Sequence, residues 1–248
     1  MPIDLVFLIT CVAQQGFAVG VFLAASKEFR DDSNLTRAIV NRQFHSSGRT
    51  RLMHAAQKAN LERVNFLIKN GAPVNTAMKQ NNMTALMMAT AWGYTGVVSS
   101  LVEARADVNL SMKDGTSNIS TLMIACVSGK VEVVRILLSA GASVNFMSSD
   151  GKTVLMHLCL NDSTRQYWYS WINIYKEHLE IAQLLLEAGV DIDAAITPND
   201  WTALTWACHY GSTDMVKFLL NAGAKDPLGV SLAIAKVKNL QGHFTIGR

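Results

Sequence analysis

Thr84-Ala-Leu-Met-Met-Ala89 is one copy of a phrase that the chain repeats. It returns as Thr50-Arg-Leu-Met-His-Ala55, Ser120-Thr-Leu-Met-Ile-Ala125, Thr153-Val-Leu-Met-His-Leu158 and Thr202-Ala-Leu-Thr-Trp-Ala207. A second phrase follows each copy and closes the unit: Gly71-Ala-Pro-Val-Asn75, Ala106-Asp-Val-Asn109, Gly141-Ala-Ser-Val-Asn145, Gly189-Val-Asp-Ile-Asp193 and Gly223-Ala-Lys-Asp226. The anchoring leucines Leu52, Leu86, Leu122 and Leu155 stand 34, 36 and 33 residues apart. A period of that length means stacked supersecondary units rather than one closed core.

One unit reads directly as helix-turn-helix. Thr84 stands where a helix starts, and its hydroxyl can cap free N–H groups. Leu86, Ala89 and Thr90 share a helical face, small where a neighbouring helix comes close. Gly93 ends that helix in a left-handed turn. Val97, Val98, Leu101 and Val102 form the apolar stripe of a second helix. One unit cannot cover this stripe alone, so units stack.

From about Gly48 to Pro227 these coupled phrases resemble ankyrin repeats, whose T-P-L-H-x-A phrase has the same period. The resemblance implies an all-α solenoid of stacked helix-turn-helix units with short β-turn fingers. In one respect the chain departs from the family: Met53, Met87, Met123 and Met156 replace the usual His. The His capping network is therefore expected to be absent, with flexible Met side chains filling the space.

A length of 248 residues suits one solenoid plus a small extra domain. Half the residues are hydrophobic, so the chain is not a disordered tail. The net charge of +3 is small and spread along the chain, and no Lys/Arg run marks a nucleic-acid surface. Cys126, Cys159 and Cys208 hold one position in successive repeats, where helix spacing of roughly 8–10 Å exceeds disulfide reach. They are expected to be free core residues in a reducing, cytoplasmic compartment. Cys159, Cys208, His157 and His209 lack Cys-x-x-Cys or His-x-x-x-His spacing, so no metal site is assigned. No catalytic motif occurs: there is no G-x-S-x-G, phosphate loop or H-E-x-x-H. The expectation is a protein without enzymatic activity or cofactor, monomeric, working through its surface.

Residues 1–41 form a segment distinct from the repeats of 42–248. No charge occurs between Asp4 and Lys27, and two apolar runs flank Gln14-Gln-Gly16. Three readings stand. The runs together could span a bilayer or serve as a leader, although no Lys or Arg precedes them. They could be plain capping helices for the first repeat. Or they form a three-helix bundle, with Pro2 and Leu5 at its start and Ser26-Lys-Glu-Phe-Arg30 ending its second helix. These last features resemble an F-box, with Met1 and Ala25 departing from the family's Leu and Val. That resemblance implies docking on the small adaptor subunit of a cullin–RING ubiquitin ligase through Pro2, Leu5, Leu8, Phe22 and Phe29.

The fourth repeat breaks the period. Cys159 to Glu180 covers 21 residues where Ala56 to Glu62 covers six. The insert carries Tyr167-Trp-Tyr-Ser-Trp171 and Tyr175. Trp168 and Trp171 either form a partner-binding wedge or fold onto neighbouring helices that the insert lengthens. The ankyrin resemblance implies that finger tips and exposed ends of first helices bind a partner protein. Carried onto this sequence, those positions are Arg49, Lys58, Met83, Trp92, Lys113, Lys152, Trp201, His209 and Tyr210. The basic edge near the first repeat suits an acidic partner. Together these features imply a substrate-recruiting ligase adaptor. The alternative is an ankyrin scaffold or inhibitor whose N-terminal helices only cap it or anchor it to a membrane.

Overall fold

A hydroxyl-bearing residue begins each first helix, and the physics of that cap sets the unit. The computed structural model of the protein describes residues 48–115, 117–159, 175–196, 201–226 and 229. Five helix pairs occur among them: α1 (Arg51–Gln57) with α2 (Leu61–Lys69), α3 (Ala85–Trp92) with α4 (Thr95–Glu103), and α5 (Thr121–Val127) with α6 (Val131–Ser139). The series ends with α7 (Val154–Cys159) and α8 (Tyr175–Glu187), then α9 (Ala203–His209) and α10 (Thr213–Asn221). The architecture is the all-α repeat solenoid that the sequence implies.

Thr50, Thr84, Ser120, Thr153 and Thr202 each accept the backbone N–H three residues on, at 3.2 to 3.4 Å. The methionines correct the sequence expectation. In α1 and α7 the Met53 and Met156 sulfurs accept the N–H of Thr50 and Thr153, both at 3.4 Å. A thioether thus closes the reciprocal capping contact, weakly, because sulfur is a poor acceptor. In α9 Thr205 takes this role with oxygen, at 2.8 Å.

First helices stack on first helices and second helices on second helices. Leu52, Leu86, Leu122, Leu155 and Leu204 are all about 1% exposed, so the phrase leucine is the shared wedge of the core. Val64, Val98, Val134, Ala182 and Val216 are its buried counterparts on the second helices. Cys126, Cys159 and Cys208 are buried free thiols, as expected. Cys159 donates to the Ala203 carbonyl of the next repeat at 3.3 Å.

The Asx residue that ends each unit ties the stack along its edge. Asn75, Asn109 and Asn145 accept the N–H of Asp107, Ser143 and Asp191, each at 2.8 Å. Their amide groups donate to Arg105, Gly141 and Gly189 carbonyls at 3.2 to 3.4 Å. Asp193 accepts from Lys225 N–H at 2.9 Å but has no amide to donate.

The turn inside each unit needs a left-handed residue. Gly93, Gly129 and Gly211 supply it in three repeats, and Ala59 holds φ 54° in the first. Backbone bonds are the same at each: the residue donates three back and its successor five back.

Between units the chain turns out into fingers. Only the third is a β-hairpin among the described residues, β1 (Ser111–Asp114) antiparallel to β2 (Ser117–Ser120), with Met112 opposite Ile119. It lies within the 36-residue spacing from Leu86 to Leu122, two residues longer than the spacing before it. The insert of repeat four gives α8 thirteen residues where the other second helices have nine. Its last residues therefore extend the second helix. Residues 1–47, with Pro2, Leu5, Leu8, Phe22 and Phe29 among them, lie outside the described residues, as do Trp168 and Trp171.

Candidate partner-binding surface

Fingers and first helices together form one face. Each finger is closed by a backbone bond: Met78 N–H to Met83 O, Ser148 N–H to Lys152 O, and Ile196 N–H to Trp201 O, all 2.9 Å. Neighbouring fingers also touch. Lys113 N–H donates to Asn81 O at 2.8 Å. Ser117 donates to Asp150 at 3.0 Å. At Gly151 a Cβ would stand 3.2 Å from Ile196 Cγ2, so the fourth and fifth fingers are in close contact.

Within the first helices the fifth position of the phrase varies most: His54, Met88, Ile124, His157 and Trp206. Four residues on stand Lys58, Trp92, Ser128 and Tyr210, one helical turn further along the same face. These rows give the two ends of the solenoid different chemistry.

At the fifth repeat the surface is aromatic. Trp201 meets Trp206 edge-on at 5.3 Å and His209 at 5.2 Å. Trp206 stacks on Tyr210 at 5.4 Å, and His209 meets Tyr210 at 4.9 Å. The Lys152 ammonium lies 5.4 Å from the Trp206 ring centroid, within cation–π range. Lys152 also pairs with Asp150 at 2.7 Å. Burial raises the Asp150 pKa, but hydrogen bonds from Lys152, Ser148 and Ser117 outweigh it. The carboxyl is held well below the usual carboxylate range.

At the first repeat the surface is basic. Arg49 precedes α1 and donates to Gln57 in its last turn, so its side chain lies along the helix. His54 and Lys58 are exposed on that helix, and Arg63 is half-buried in the first turn of α2. Burial, then the charges of Arg49, Arg63 and Lys58, hold the His54 pKa below its ordinary value. Its imidazole thus registers three cations close by.

The residues singled out in the sequence divide accordingly. Lys152, Trp201, His209 and Tyr210 come together, and Arg49 comes together with Lys58. Trp92 projects from the end of α3, 58% exposed. Lys113 is exposed on the hairpin finger. Met83 is half-buried and packs against the core. The sequence reading missed Trp206, His54, Arg63 and Asp150. For Trp206 and His54 a signal existed, the one variable position inside an otherwise uniform phrase.

Burial pushes the Cys126 thiol up, away from the reactive thiolate. Among the described residues there is no cluster of potential metal ligands. No helix among them is long and apolar enough to cross a membrane.

Comparison with known proteins agrees with the repeat architecture. Models of ankyrin repeats match residues 21–112 as three copies, residues 119–149 as a single repeat and residues 173–220 as part of a many-copy array. The first match begins inside residues 1–41, and no F-box model matches there. Two curated proteins are similar over short stretches. The mouse "Ankyrin repeat and SAM domain-containing protein 6" is 45% identical over 47 residues, 19% of this chain and 5% of that protein. The Caenorhabditis elegans "Ankyrin repeat and KH domain-containing protein mask-1" is 40% identical over 52 residues, 21% of this chain and 2% of that protein. The chain thus matches only a small part of each of these relatives.

Proposed function

The chain belongs to the ankyrin-repeat family, and from that premise we propose that it is a non-catalytic, monomeric, cytoplasmic scaffold that holds one partner protein across its fingers and first helices. One observation carries this reading. Scaffold positions of the repeat are uniform and buried, whereas the positions that face outward on this surface differ from unit to unit and gather into chemically distinct patches. Rigid aromatics, the exposed Trp92 and the half-buried Trp201, Trp206 and Tyr210, give large contact area for little lost side-chain entropy.

The finer reading, a ligase adaptor docking through residues 1–41, has less support, because an ankyrin match claims residues 21–41. Binding to the small adaptor subunit, abolished by Phe29→Asp, would restore it.

Proximity labelling and affinity capture test the scaffold role with paired variants. A partner retained by wild type and by Lys69→Glu on α2 is expected to be lost from Trp92→Ala and Trp201→Ala. Loss from Lys69→Glu alone, with the tryptophan variants unaffected, sinks the proposal.

A further inference from the structure

The ion pairs of the described residues are distributed unevenly. Arg135 pairs with Glu132 and Glu180, Lys152 with Asp150, Lys217 with Asp214, and Lys225 with Asp193. All of these lie in repeats three to five. In the first repeat Lys58 and Arg63 have no carboxylate within ion-pair distance among the described residues. Glu62, exposed beside Arg63, pairs with neither. Arg49 Nε is buried with no hydrogen-bond partner among them. The next finger adds a further cation: Lys79 Cγ would stand 3.2 Å from a Cβ at Gly48, beside Arg49.

Resting on the reading of this face as a partner surface, we propose that Arg49, His54, Lys58, Arg63 and Lys79 form the docking site for an acidic, extended segment of the partner protein. Charge complementarity points to the occupant. The four cations among them, Arg49, Lys58, Arg63 and Lys79, are held together without a counter-ion among the described residues, a cost that an incoming carboxylate-rich segment removes. Arg49, fixed by Gln57, keeps a planar fork that suits carboxylates. Nucleic acid fits less well. A phosphate backbone needs basic residues along its track, and beyond Lys79 the same face turns to Trp92, Ile124 and the aromatic cluster. The partner segment is therefore acidic at one end and apolar further along. Four repeat steps of roughly 8–10 Å separate the two ends, which an extended chain at about 3.3 Å per residue covers in about ten to twelve residues.

Fluorescence anisotropy with the full chain tests this directly. The probe is a labelled Glu-rich peptide of about ten residues, beside a Lys-rich peptide, a single-stranded DNA of equal charge and anionic phosphatidylserine vesicles. Saturable binding of the Glu-rich peptide is expected, weakened at least tenfold by Lys58→Glu with Arg63→Glu and by raised salt. If that double variant melts early, Lys58→Gln, at an exposed helix end, is expected to weaken binding about threefold with an unchanged melt. No saturation at about 100 μM, or tighter binding of the DNA or the vesicles, overturns the proposal. A natural partner that is lost from Trp92→Ala but indifferent to Lys58→Glu would overturn the acidic site while leaving the scaffold reading intact.

Discussion

The first and fifth repeats are the same object inside and different objects outside. In both, a threonine caps the first helix and a leucine 1% exposed wedges the core. In both, the first helix ends in a left-handed turn with the same two backbone bonds. Yet the fifth position of the phrase is His54 among cations in one, and Trp206 among rings in the other. The comparison shows where such a fold keeps its freedom. Positions that contact the next repeat are constrained by packing density, since even one methylene is felt there. Positions that contact only solvent and a partner can be charged, aromatic or neutral without cost to the stack.

The sharpest way to break this comparison is to cut the shared wedge. Leu52→Ala and Leu204→Ala should each lower the unfolding free energy by about 2–5 kcal/mol, the range for buried leucine truncation. Urea titration checks it. A silent Leu52→Ala would show that the first repeat does not share the core of the others.

The Asx edge comes next. Asn109→Ala removes an acceptor from Ser143 N–H and a donor to the Gly141 carbonyl. About 1–2 kcal/mol of stability should go with them, and the same assay measures it. Asp193→Asn restores the donor that the last interface lacks and should cost nothing or stabilise slightly.

A smaller effect separates the two repeats at one slot. Ala59 and Gly211 occupy the same left-handed turn, at φ 54° and 71°. Ala59→Gly should stabilise the chain by about 1 kcal/mol, and Gly211→Ala should destabilise it by about as much. Opposite shifts of Tm by a few degrees in calorimetry would confirm the equivalence of the turns. Shifts of the same sign would refute it.

Protonation gives the smallest effect. The folded pKa of His54 lies below 6.5, so the unfolded chain binds this proton more readily. Stability is then lost as pH falls below about 6.5, and the loss levels off beneath the folded pKa. His54→Gln should flatten the dependence of unfolding free energy on pH in that window. Asp150 works oppositely at the far end: its depressed pKa gives stability that is complete above about 4 and lost only in stronger acid. Asp150→Asn should remove it at neutral pH, read as a lower urea midpoint.

Much of the fold was legible because a repeat multiplies its own evidence. Five copies of a cap, a wedge leucine and an Asx ending carry the same meaning, and the hairpin finger at Asp114-Gly-Thr-Ser-Asn118 showed as two extra residues. The site was less legible. Trp201, His209 and Tyr210 could be named from exposed repeat positions, but Trp206 sits inside the core phrase and read as scaffold. Arg63 lies on a second helix, separated from Arg49 by 14 positions, so no run of charge betrayed the basic cluster.

The sequence alone determined the unit, its boundaries, its buried face and the need to stack, because helix caps, apolar period and turn glycines act over a few residues. Tertiary structure decided which surface positions meet. The Arg49–Gln57 contact, the ring cluster over Lys152 and the Asn109 bridge to Gly141 join residues 8, 54 and 32 positions apart. Local propensity does not encode such distances. They follow from stacking, which lays equivalent positions of successive repeats side by side.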